Sequence, residues 1–132
     1  MAKPRKRTSK GLRRYVLKVA EAMGIYGWTF YIKDDKGEEW GNMAEITVQI
    51  AYKTASLEVR NDWKRWSPEE LRSTIVHELV HTWTNSAFYT VRDVEGILSD
   101  DASAILTKAC GQWIEYATES ACRCIAPHMP LY

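Results

Sequence analysis

The stretch His77-Glu78-Leu79-Val80-His81 holds the residue types best able to do chemistry. Two histidines four apart on a helix project about 40° from each other, so their imidazoles can converge on one metal ion. Glu78 is turned by about 100° from His77. It cannot easily join both histidines as a ligand, but it can reach a metal-bound water, which suits a general base. Neutral imidazoles favour zinc, and three protein ligands leave a fourth position open for water. Zinc lowers the pKa of such a water towards about 7, where a carboxylate can take its proton at neutral pH. The expected cofactor is therefore Zn2+. The expected reaction is hydrolysis of a peptide bond, with Glu78 accepting the proton and passing it to the leaving amine.

A third ligand must come from elsewhere in the chain. Thr82-Trp83-Thr84-Asn85 follows His81, so the His-x-x-Gly-x-x-His extension of metzincins is absent. His128 is the remaining histidine, but it sits between Pro127 and Pro130 in a segment that reads as an irregular tail. Glu115 and Glu119 are better candidates, one turn apart on nearly the same face of the last helix. Glu95 falls in a loop and is a weaker choice. Tyr89 or Tyr116 would serve to hold an oxyanion if folding brings one near the metal. Ordinary packing or an interface explains either tyrosine better.

With these residues the chain resembles the gluzincins, zinc peptidases in which an HExxH helix is joined by a Glu ligand from a later helix. More narrowly, it is similar to their minimal forms, the small phage-borne and ImmA/IrrE-like metallopeptidases. Those proteins carry HELxH and a late Glu-x-x-Ala-x-x-Phe-Ala segment. Here Glu119-Ser-Ala-Cys122-Arg-Cys-Ile125-Ala126 matches that segment with Cys for Ala and Ile for Phe. The resemblance implies metal ligands His77, His81 and Glu119, a catalytic Glu78, and a substrate-binding edge formed by the strands before the active-site helix. It covers residues around 44–126. A second resemblance, to SprT-like proteases that act on DNA-bound proteins, lies in His-Glu-Leu-x-His-x-Trp from His77 to Trp83 and in the basic N-terminus. That pattern also wants a third downstream histidine, which this chain does not supply in a matching place.

The elements that must position these residues are legible from periodicity. Leu12, Val16, Val19, Ala20 and Met23 recur at helical spacing and Gly24 follows as a stop. Trp28 to Ile32 is aromatic and β-branched, and Asp34-Asp-Lys-Gly37 has turn chemistry. Ala44 to Tyr52 alternates, with Ile46, Val48 and Ile50 on one face, and Ser56 to Arg60 alternates again. Two antiparallel neighbours are expected there. Ser67-Pro68-Glu69-Glu70 announces the active-site helix with an N-cap, a Pro at the first helical position and a capping box. Its apolar stripe reads Leu71, Ile75, Leu79, Val80 and Trp83. A looser segment through Asn85, Ser86, Gly96 and Asp100-Asp101 precedes a final helix over about Ala102 to Ala126. The expected fold is a small α+β zincin-like domain: an N-terminal helix, a three-stranded or slightly larger, mainly antiparallel sheet, the HExxH helix and a C-terminal helix.

At 132 residues, with 45% hydrophobic and 27% charged side chains, the chain is sized and composed for one globular domain. No apolar run approaches the roughly 18 residues that span a bilayer, and no apolar stretch follows the basic N-terminus to make a signal peptide. A cytoplasmic protein without membrane contact is expected. Cys110, Cys122 and Cys124 are odd in number and read as reduced thiols, with the last two as buried small hydrophobes. Residues 1–14 hold seven Lys or Arg and no acid, whereas residues 15–132 hold 11 basic and 17 acidic side chains. The expected organisation is therefore a basic flexible arm over residues 1–10 and a metallopeptidase domain over residues 11–132. The expected partner is a protein or peptide substrate, with a weak nucleic-acid contact through residues 3–14. A competing function is a non-catalytic zinc-containing binding module that contacts nucleic acid or a protein through the arm. Trp63 and Trp66, interleaved with Lys64 and Arg65, suit stacking and phosphate contact, although a core-edge role explains both tryptophans as well.

Overall fold

The structure, a computed structural model, describes residues 6–132. It is an α+β domain. The elements run α1 (Ser9–Ala22), β1 (Thr29–Lys36), β2 (Ala44–Gln49), β3 (Thr54–Arg60), α2 (Pro68–Thr84), α3 (Ala87–Glu95) and α4 (Asp100–Ile125).

The sheet has the order β1-β3-β2. β3 pairs antiparallel with β2, as the short connection between the two segments predicts, with Ile46 opposite Leu57. Its other neighbour is parallel, with Ile32 opposite Leu57. The sheet is therefore mixed, not mainly antiparallel, because β3 inserts between the two earlier strands. As the central strand, β3 buries Ala55, Leu57 and Val59 almost completely. Against this face pack Leu12, Val16 and Val19 of α1 and Leu71, Ile75 and Leu79 of α2. Each fully buried Leu or Val of this kind contributes roughly 1.5–3 kcal/mol of transfer free energy.

Local signals held where local chemistry decides the conformation. Gly24 adopts φ +77 directly after α1, where a Cβ would be strained, and Ile25 N donates to Ala20 O at 2.9 Å to close the helix. The Ser67 capping box is present: Glu70 N donates to Ser67 Oγ and Ser67 N to Glu70 Oε2.

Tertiary partners overruled other signals. The Asp34-Asp35 turn chemistry lies inside β1, at a register shift between Lys33 and Lys36. Asp34 is held there by hydrogen bonds from Ser9 Oγ and from Trp63 Nε1. Strand β2 stops at Gln49, and Ile50–Tyr52 is a 3-10 turn. Part of the loose segment is helix α3, which buries Val91 in a small second cluster with Cys110 and Ile114 of α4. Trp83, expected in the apolar stripe of α2, is 44% exposed in its last turn. Cys110 and Cys122 are buried and Cys124 is exposed, since residues two apart on a helix face different sides.

Of the expected arm, residues 1–5 lie outside the described residues. Thr8 caps α1, and Ser9 and Lys10 are its first residues. Arg7 Nη1 donates to the carbonyls of Trp63 and Trp66 at 2.9 and 2.6 Å. Trp63 is fully buried and Trp66 nearly so, which leaves neither ring free to stack on a base. No helix among the described residues is long and apolar enough to cross a membrane.

Candidate metal centre

α2 carries the two histidines, and α4 faces them. The rotation of α4 is set by Ile114, Thr118 and Cys122, a buried stripe at four-residue spacing. Thr118 Oγ1 is 2.8 Å from Thr84 Oγ1 of α2, and Cys122 Sγ donates to Ser73 O at 3.3 Å. Glu115 and Glu119 follow Ile114 and Thr118 by one position each, so both carboxylates are carried alongside the histidine face of α2.

The two carboxylates take different nitrogens. Glu115 Oε1 lies 3.2 Å from His81 Nε2, and Glu115 Oε2 lies 3.5 Å from His77 Nε2. Glu119 Oε2 lies 3.2 Å from His77 Nδ1, on the other side of that ring. Donor atoms of His77, His81 and Glu115 all fall within 4.8 Å of one another, a spacing that one cation could bridge. Glu119 is outside that group. Its second oxygen accepts from Arg123 Nε at 3.2 Å, one turn along α4.

His81 has a comparable support. Its Nδ1 is 2.9 Å from Asn85 Oδ1, so an Nδ1–H donated there leaves Nε2 as the lone-pair nitrogen facing Glu115. His77, with Nδ1–H donated to Glu119, presents Nε2 in the same way. Burial pushes His81 below its ordinary pKa, and the neighbouring Glu115 carboxylate opposes that shift.

Glu78 is only 8% exposed and lines one cleft together with His77 and Glu119. Burial raises its pKa to about 8; the Ile46 backbone N–H of β2 lowers it, while Glu115 adds to the rise. A cation among His77, His81 and Glu115 would draw it back down. β2, the outer strand on this side, borders the site. One cleft runs past His77 and Glu78 between Asn42–Ala44 and the Glu119–Arg123 turn of α4. A second runs past His77, Glu78 and His81 between Ala44–Ile46 and the Lys108–Glu115 part of α4.

The remaining candidates are apart from this centre. His128 is exposed in the turn after α4 and Glu95 is exposed at the end of α3. Tyr116 is 77% exposed, and Tyr89 carries Arg92 over its ring; neither lines the two clefts. Asn85 was missed by sequence reasoning. Its position, four residues after His81 and at the cap of α2, is the signal that would have found it.

No protein-family model matches the chain, and neither a curated protein nor a solved structure does.

Proposed function

We propose that the protein is a zinc-dependent metallopeptidase, with His77, His81 and Glu115 as ligands, Glu119 orienting His77, and Glu78 as general base. One observation carries this reading: a ring nitrogen from each of two imidazoles and a carboxylate oxygen lie within 4.8 Å of one another, beside a second, buried carboxylate, Glu78. A structural zinc site needs no Glu78. Bound zinc would supply a Lewis acid and an activated water. Its assignment rests on the donor set of two imidazoles and one carboxylate, which suits zinc and leaves a position open.

The chain's own residues have separable tasks. Asn85 and Glu119 fix the tautomers of His81 and His77, so that each offers Nε2. Glu78 holds a proton at its carboxylate between taking it from water and giving it to the leaving amine; burial raises its proton affinity and a neighbouring cation opposes that rise. The free edge of β2 offers backbone hydrogen bonds to an extended peptide lying across both clefts, which favours an unfolded segment as substrate.

The test is hydrolysis of an unfolded protein such as casein by the zinc-loaded chain, compared with Glu78→Gln. The substitution keeps size and hydrogen bonding but removes the base, so the rate should fall roughly 10²–10⁴-fold. Equal rates in the two proteins would exclude the mechanism.

A further inference from the structure

The outer face of α1 carries Lys10, Arg13, Arg14 and Lys18, all exposed. Lys10, Arg14 and Lys18 stand at four-residue intervals, so they form one row about 12 Å long on a rigid helix. Among the described residues, none of the four makes an ion pair with a carboxylate. Helix stability does not explain the arrangement. α2 and α4 place Glu69-Glu70 and Asp100-Asp101 in their first turns, where the helix dipole favours acids, whereas α1 has no acid in its first turn and no base in its last. Like charges four apart also repel one another by a few tenths of a kcal/mol per pair. The row therefore costs α1 stability and, among the described residues, has no carboxylate partner.

We infer that this face of α1 binds the phosphate backbone of double-stranded DNA without reading its sequence. A duplex presents one negative charge per about 1.7 Å of axis, so a straight row about 12 Å long meets several phosphates at once. A groove between α1 and the C-terminal segment, bordered by Lys10, Arg14, Lys18 and Tyr132, lies alongside the row. The surface shares no residue with the two clefts beside His77 and Glu78, so DNA held there leaves them open. The inference is independent of the peptidase reading. It shares Lys10, Arg13 and Arg14 with the contact expected through residues 3–14, places them on a folded helix and adds Lys18; the buried Trp63 and Trp66 take no part.

Fluorescence anisotropy with a labelled 20-base-pair duplex of arbitrary sequence tests it on the full chain. Binding should be micromolar or weaker, with a log–log salt slope of roughly −2.7 to −3.6 for three or four phosphates. The triple variant Lys10→Gln/Arg14→Gln/Lys18→Gln should bind at least about tenfold more weakly, and Arg14→Gln alone should reduce the slope by about 1. The charge-keeping variant Lys10→Arg/Arg14→Lys/Lys18→Arg should bind within about twofold of the wild type, because phosphate contact needs charge and not identity. Absence of salt-dependent binding overturns the proposal. So does undiminished binding by the triple variant, or a loss that instead follows Lys3→Gln/Arg5→Gln.

Discussion

At the scale of single residues, the proposed roles of three carboxylates and one amide, as ligand, base and supports, follow from which atom each one meets. Glu115 faces both Nε2 atoms and Glu119 faces His77 Nδ1, so their variants should fail differently. Glu119→Ala should weaken zinc binding by roughly 10–100-fold, the usual cost of losing an orienting partner, and Asn85→Ala should do the same through His81. Titration calorimetry with zinc reads both; a total loss with Glu119→Ala would make Glu119 the ligand. The sequence could not separate the two acids, because they share one face of α4 and the imidazole offers a nitrogen to each. It did single out His77, Glu78 and His81, whose spacing is local to one helix, α2. Thiol chemistry is likewise decided residue by residue. Burial raises the Cys122 thiol to about 11, whereas Cys124 is exposed. At pH 8 a maleimide should label Cys124 first, and mass spectrometry of the partly labelled chain should find Cys122 unmodified.

At the scale of elements, α4 works because one of its stripes is anchored. Ile114 is 4% exposed and precedes Glu115 directly. Ile114→Ala should cost about 2–5 kcal/mol and loosen the segment that presents Glu115, so urea denaturation and zinc affinity should fall together. A destabilised variant with unchanged zinc affinity would show that α4 is not positioned by this stripe. The helices with strong caps or unbroken periodicity, α1, α2 and α4, were legible within a few residues. α3 was not, since only Val91 of its nine residues is buried and its surroundings are rich in Asn, Ser and Gly. The sheet was half legible for a different reason: alternation reports which face of a strand is buried, not which neighbour it takes or in which direction.

At the scale of the whole molecule, both ends of the described chain close over the core. Tyr15 Oη donates to Pro130 O at 2.9 Å, and the Tyr132 ring meets Tyr15 and Trp63 edge-on at 5.4 and 5.8 Å. Arg7 stands 5.5 Å over the same ring. Tyr132→Ala should therefore lower stability by roughly 1–3 kcal/mol with an unchanged urea m-value, since each aromatic pair adds about 0.5–1.5 kcal/mol beyond its buried area. Burial pushes the Tyr15 phenol up to about 12 from an ordinary 10.0. Because the fold prefers its neutral form, that contribution is complete below pH 10 and is lost as pH rises towards 12. Thermal melts should show the wild type losing more stability than Tyr15→Phe over this range.

The proposed centre is a metal held by His77, His81 and Glu115. Its most direct test is the zinc content of the purified chain by elemental analysis after zinc supply and exhaustive dialysis, measured in parallel on Glu115→Ala. About one zinc per chain is expected in the wild type and almost none in the variant. No stoichiometric metal in the wild type, or full retention in Glu115→Ala, would contradict it.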